Sequence, residues 1–285
     1  MNILITGSSG FLGTNIINSP ETTKFKFYKY DRAKPLYPNN INAVIHCAGI
    51  AHNSHDKLLY KKYYEGNFKL TKRIFDDFLE SNSSVFIFLS TSTIYNEIKN
   101  KRIAIKETEI GTNLSIYAET KLLAENYISS KKHTKKVYIL RPSLIVGDNP
   151  KGNLRLLKKL INFKLPIFLP SQLAKKSLTD VRNIIFVINK FLKFKNNIPS
   201  GVYNICDSNY IDLKVILEKI SVLNNANARL YNLPNFIFIF LLKFLSFFNL
   251  KLSQKFFNLF FTEIFIDQSK LEKAISQKLP FNSFE

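Results

Sequence analysis

The chain has 285 residues, 46% of them hydrophobic and 22% charged, enough to bury a full core and too apolar for a disordered chain. Its formal charge is +20, yet only seven of the 41 basic residues are Arg, and no stripe combines Arg, aromatics and glycine, which argues against a nucleic-acid partner. Two cysteines, Cys47 and Cys206, lacking CxxC spacing, speak against a disulfide framework or a zinc site and fit a reducing compartment.

Asn2–Thr6 already reads as a strand, and no charged segment with a long apolar run precedes it, so the expectation is a cytoplasmic protein without a leader. Phe11–Asn18 opens a helix. Residues 25–30 and 43–47 read as strands, 58–80 as a helix, 84–90 as a strand, 117–130 as a helix and 137–141 as a strand. Such alternation predicts an α/β fold, a doubly wound parallel sheet of Rossmann type. After Pro142 the rhythm changes to helical stretches at 154–163 and 181–194, and the chain beyond Leu213 is again mostly helical. The expected division is a dinucleotide-binding domain over 1–147 and 180–206, with a smaller, mostly helical lobe over 148–179 and 207–285.

The first strand runs into Gly7-Ser8-Ser9-Gly10-Phe11-Leu12-Gly13. Glycines at this GxxGxxG spacing permit a tight turn, let the backbone approach a pyrophosphate, and aim a helix N-terminus at its negative charge. A ligand-free glycine turn is the weaker reading, because strand and helix flank the loop as that mechanism requires. Gly7, Gly10, Phe11, Leu12 and Gly13 are therefore the expected dinucleotide contacts. The second strand ends in Tyr30-Asp31-Arg32. A carboxylate at Asp31 accepts hydrogen bonds from the adenosine ribose and repels a 2′-phosphate, favouring NAD; Arg32 can hold a 2′-phosphate and leaves NADP open.

Tyr117 and Lys121 stand four residues apart, on one face of a helix. An ammonium beside a phenol favours the phenolate, which predicts a Tyr117 pKa lowered from about 10 towards neutrality and a usable general acid/base. Upstream, a strand ends in Ser90-Thr91-Ser92-Thr93-Ile94-Tyr95. Hydroxyls at the carboxyl end of a strand point into the crevice where open α/β sheets bind ligands.

With these motifs in this order, and with Val44-Ile45-His46-Cys47-Ala48-Gly49, Leu140-Arg141-Pro142-Ser143-Leu144-Ile145-Val146-Gly147 and Gly201-Val202-Tyr203-Asn204-Ile205, the chain resembles the extended short-chain dehydrogenases/reductases that modify nucleotide sugars. The resemblance runs over nearly the whole chain. It implies hydride transfer at C4 of a UDP-hexose, with NAD or NADP, in the making of surface-polysaccharide precursors. It also implies a catalytic set of Thr91, Tyr117 and Lys121, with Lys121 on the nicotinamide ribose and Ala48 and Pro142 against the cofactor. Thr91, Ser92, Tyr117, Asn153 and Lys176 would meet the sugar nucleotide, and Asn67 would steady the site. Helices over 58–80 and 117–130 would pair in a homodimer.

Departures from the family narrow the activity. Lys176 stands where relatives carry Arg, losing bidentate phosphate recognition but keeping a charge. Asn96 stands where many carry Gly. Thr91 is followed by Ser92 and Thr93 rather than the two acidic residues of the sugar dehydratases, so a dehydration lacks its base and acid. A 4-epimerase and a 4-keto-sugar reductase remain, and the short late lobe resembles that of reductases and epimerase-like proteins. The rival from another class is a non-catalytic dinucleotide sensor; such proteins commonly lose the Tyr–Lys pair that this chain keeps.

His46, His52, His55 and His133 show no metal-ligand spacing, and no metal is expected; His46 reads as a structural or cofactor-wall residue. The phenylalanine-rich stretch 234–248, interrupted by Lys243, is too short for a membrane span. It reads as a buried or half-buried helix of the second lobe, the alternative being peripheral membrane contact with Lys251 and Lys255 near anionic lipids.

Overall fold

Valine, isoleucine and phenylalanine fill both faces of the central strands, the composition of a sheet covered on two sides. The computed structural model describes residues 1–31, 37–50, 59–96, 98, 103–147, 161–163, 166–223, 229–248, 261 and 263–283. Its strands are β1 (Asn2–Thr6), β2 (Lys26–Lys29), β3 (Ala43–His46), β4 (Val85–Leu89), β5 (Lys136–Pro142), β6 (Leu144–Val146), β7 (Pro166–Pro170), β8 (Lys175–Asp180), β9 (Gly201–Ile205), β10 (Tyr210–Asp212) and β11 (Arg229–Leu233). Six of them form the main sheet in the order β2-β1-β3-β4-β5-β9, and every pairing within it is parallel. The order reverses between β1 and β3, which opens a crevice at their carboxyl ends.

Alternate residues of each strand feed opposite cores, as the period of two requires. Ile3, Ile5, Ile45, Ile87 and Leu140 pack under α1 (Phe11–Asn18) and a later helix, Val181–Lys193. Leu4, Val44, Phe86, Phe88 and Ile139 pack on the other side, under two helical segments rich in buried phenylalanine. The first begins as α2 (Tyr60–Tyr63), widens over Tyr64–Lys69 and continues as α3 (Leu70–Glu80). In the wide stretch the Leu70 N–H reaches back to the Glu65 carbonyl, five residues rather than four. The second segment is α4 (Ile116–Ser130), whose start is capped by Ser115 accepting from the Ala118 N–H. Val181–Lys193 is α5, capped by Asp180.

The later chain carries the expected helices and adds short strands to them. The described residues hold a three-stranded sheet, β10-β8-β6, and a parallel pair, β11-β7, besides α6 (Leu213–Leu223) and α7 (Asn235–Phe248). These strands have three to six residues and no clear alternation, so partners far along the chain, rather than local pattern, define them. A separate apolar cluster of Ile167, Leu169, Leu178, Ile216, Leu217, Phe238 and Leu242 holds this lobe together. The end of the chain comes back to the main sheet: α8 (Ser269–Ile275) places Leu271 and Ile275 in the core under α5. Most of the expected helix over 154–163 lies outside the described residues.

Candidate active site

The glycine loop joins β1 to α1. Gly7 has φ +69°, and a β-carbon there would lie 2.7 Å from the Ala48 nitrogen. At Gly13 a β-carbon would sit 2.3 Å from the Gly7 carbonyl oxygen, so only glycine lets α1 start this close to the strand. Gly10 precedes α1 and no side chain caps the helix, which starts at Phe11 and Leu12. An open helix start beside a left-handed glycine is a cradle that fits the diphosphate of a dinucleotide. Ala48 lies against Gly7 and donates its N–H to Thr6 Oγ1 at 3.1 Å. Asp31 follows β2 beside the end of β1, where the Tyr30 N–H donates to the Ile5 carbonyl. Pro142 ends β5, opposite Ile205 of β9. Arg32 and Asn153 lie outside the described residues.

His46 is fully buried behind this loop. Its Nδ1 lies 2.6 Å from Thr6 Oγ1 and its Nε2 lies 2.8 Å from Thr71 Oγ1. Thr71 spends its own hydroxyl proton on the Asn67 carbonyl, so it accepts from Nε2–H. The imidazole ties β1, β3 and α3 together, a structural role.

At the end of β4 the chain turns through Thr91, whose hydroxyl accepts from the Thr93 N–H at 3.1 Å and interacts with the Tyr117 phenol of α4. Ser92 begins a short 3₁₀ turn after it. Burial pushes the Tyr117 phenol up to about 12; the Thr91 hydrogen bond pulls the other way, and nearby Tyr63 adds to the rise. Lys121 is buried on the same helix and donates to the Leu89 carbonyl at 2.8 Å, with its ammonium over the Phe88 ring. Burial lowers it to about 8, against the opposing pull of Cys47 and Glu125.

The expectation of a Tyr117 phenol lowered by its lysine is therefore corrected. Helical spacing puts both residues on one face, but the amine turns to a strand carbonyl, and desolvation dominates the phenol. Asn67 stands in the wide turn of the α2–α3 segment. Its Oδ1 accepts from the Ile50 N–H at 2.7 Å and its Nδ2 donates to Thr120 Oγ1 at 3.0 Å. Gly49 separates this amide from Lys121, for a β-carbon there would be 3.1 Å from both Asn67 Oδ1 and Lys121 Nζ. Thr91, Tyr117, Lys121, Asn67 and the glycine loop thus share one crevice. Lys176 stands on β8, in the smaller sheet opposite Ile211, and burial lowers its ammonium to about 8.

Beneath the crevice lies a polar network that the motifs do not announce. Arg141 and Glu125 pair with side chains 4% and 3% exposed, with Nη2 2.6 Å from Oε2. Ser90 donates to Glu125, Arg141 donates to Tyr95 Oη at 2.8 Å, and Tyr95 donates to Asn204 Oδ1 at 2.6 Å. The available signals were a carboxylate one turn beyond Lys121 and an arginine inside an apolar strand.

The class these features define is the Rossmann-type dinucleotide fold, with a hydroxyl–phenol–amine cluster at its strand ends. The chain belongs to the NAD dependent epimerase/dehydratase family, whose model matches residues 23–206. It is 27% identical to a UDP-glucose 4-epimerase of Vibrio cholerae over 66% of this chain and 65% of that one, so the match spans just under two thirds of the relative's length. It is 23% identical to an N-acetyl-alpha-D-glucosaminyl-diphospho-ditrans,octacis-undecaprenol 4-epimerase of Escherichia coli O157:H7, over 82% of this chain and 75% of that one. Among solved structures, UDP-glucuronic acid 4-epimerase from Bacillus cereus in complex with NAD superposes with a TM-score of 0.76 at 18% identity, covering 99% of this chain and 92% of that one.

Proposed function

We propose that the protein is an NAD-dependent 4-epimerase of a UDP-hexose, acting in the cytoplasm on precursors of surface polysaccharide. The observation that carries this reading is buried Lys121, one helical turn beyond Tyr117, held on the Leu89 carbonyl two residues before Thr91 and close to Asn67 across Gly49. Both relatives named above are 4-epimerases, which favours this activity over a 4-keto-sugar reductase.

Gly7, Gly10, Phe11, Leu12 and Gly13 hold the diphosphate of the cofactor, with Asp31 and Arg32 at the adenosine ribose and Ala48 and Pro142 along its path. Bound NAD supplies a two-electron acceptor and donor. Tyr117 takes the proton of the sugar 4-hydroxyl and returns it after the sugar has turned, with Thr91 holding the same oxygen. Lys121, held on the Leu89 carbonyl, reaches the nicotinamide ribose of the cofactor. Ser92, Asn153 and Lys176 face the sugar nucleotide. Residues 1–147 and 180–206, with α8 packed into their core, serve the cofactor, and 148–179 and the stretch from 207 up to α8 serve the sugar. The half-buried Tyr64, Phe68 and Tyr127, packed ring to ring on the outer side of the α2–α3 segment and α4, fit a homodimer contact.

The decisive assay offers UDP-glucose, UDP-N-acetylglucosamine and an undecaprenyl-diphosphate-linked N-acetylglucosamine with catalytic NAD, reading the C4 configuration of the product. Interconversion of C4 epimers on a UDP-sugar without net cofactor turnover is the expected result. Stoichiometric oxidation of NADH by a UDP-4-keto-hexose would instead make it a reductase. Tyr117→Phe is expected to lose about a thousandfold in turnover while retaining NADH binding. Unaltered turnover in that variant would remove Tyr117 from the mechanism, and a parent chain that binds NADH but turns over no sugar would make it a sensor.

A further inference from the structure

Helix α7 carries apolar residues nearly all round, broken by Lys243, yet only part of that surface is covered. Phe238 and Leu242, one turn apart, pack into the core of the second lobe. On the other side Phe236, Phe240 and Phe244 are 74%, 68% and 58% exposed, and Ile237 and Leu241 between them are exposed as well. At about 100° per residue these five side chains make one continuous stripe, roughly 140° wide. Its start is fixed to the lobe, because Asn235 Oδ1 accepts from Ser171 Oγ and from the Gln172 N–H. A helix that is hydrophobic nearly all round requires a second apolar surround.

We infer that this outer face of α7 docks on the surface of an anionic lipid bilayer, lying in its plane. Its fourteen described residues make a helix about 21 Å long, short of the roughly 30 Å hydrocarbon core of a bilayer. No described helix is long and apolar enough to cross a membrane. The charge selects the occupant. Between Arg229 and Thr262 the sequence carries four basic residues and no acidic one, in a chain of net charge +20. Lys243, exposed on the helix, can lay its stem along the apolar stripe and raise its ammonium to phosphate. A second copy seated face to face on this stretch would bring the same basic residues against it, whereas an anionic surface attracts them. Phenylalanines buried in the acyl boundary then add to that attraction.

Co-flotation of the full chain with vesicles tests this. With phosphatidylglycerol/phosphatidylethanolamine vesicles at low salt the chain is expected to float, and with phosphatidylcholine alone to bind weakly. High salt should weaken binding to the anionic vesicles. Phe236→Glu combined with Phe240→Glu should lower partitioning at least about tenfold, and Lys243→Glu should reduce binding to the anionic vesicles alone. NADH binding, seated in the other lobe, serves as the check that the variants fold. Failure of the parent to float with either vesicle overturns the proposal, as does undiminished flotation of the double variant. A dimer in sedimentation that the double variant dissociates, without any vesicle binding by the parent, would assign the face to a second copy.

Discussion

At Lys121 the chemistry and the stability of the protein pull apart. An amine with a usual pKa of 10.5 held near 8 in a site 2% exposed means that its ammonium is disfavoured by about 3 kcal/mol in the folded chain. The sign follows from proton counts. Between pH 8 and 10.5 the unfolded chain holds a proton on this residue that the folded chain has lost, so its contribution to stability rises with pH across that window, and the penalty is fully present below it. Urea unfolding of the ligand-free parent is therefore expected to gain stability between about pH 8 and pH 10 relative to Lys121→Met. A pH-independent difference between the two would mean the amine is not so desolvated. Spacing alone revealed that Tyr117 and Lys121 share a helix face, because 3.6 residues per turn fixes the direction of both side chains. It did not reveal the Leu89 carbonyl, which arrives from a strand 32 residues away. Nor could it weigh desolvation against a neighbouring charge, since burial is a property of the packed lobe.

Where strand meets helix, the buried Arg141–Glu125 pair joins the end of β5 to the second half of α4, with Ser90 of the β4 end hydrogen-bonded to the same carboxylate. Thr91 follows Ser90, and Lys121 lies one turn before Glu125, so the pair sets the distance between the hydroxyl and helix sides of the crevice. Removing one partner strands a buried charge. Arg141→Ala is expected to cost about 3–5 kcal/mol in urea unfolding, and Glu125→Leu combined with Arg141→Met distinctly less. Equal costs for the single and double variants would mean that the arginine acts through packing rather than charge. The main strands were readable because each is a run of apolar residues bounded by turns. The shorter β6 and β10, three residues each, carry no such signal and exist through their pairing with β8. The helices over 11–18 and 181–194 were readable from their helical spacing, and the Asp180 cap at the head of α5 came only with the structure.

Across the whole molecule the two lobes differ in how they are finished. The Rossmann half closes on itself, with α8 from the end of the chain filling its core, whereas the second lobe leaves the phenylalanine face of α7 outward. Helix α7 is thus the half-buried helix expected from its composition, although composition alone does not say which face has neighbours. Cofactor binding joins β1, β3 and α1, and so is expected to stabilise the whole Rossmann half. NADH at a hundredfold its Kd should add about 2.7 kcal/mol in thermal unfolding. Gly13→Ala, whose methyl meets the Gly7 carbonyl, should abolish that gain. An undiminished gain in the variant would place the cofactor elsewhere.

The wide turn over Tyr64–Lys69 sets the phase between two ends of one helix, with the buried Tyr63 ring of α2, which packs against α4, before it and Thr71 on His46 after it. One residue more or less there would leave the helix continuous and its hydrogen bonds nearly intact. Yet it would rotate one end against the other by about 100°, moving either the ring or the imidazole's anchor off its partner. In this stretch a gap that looks silent in an alignment works like a slipped tooth in a gear.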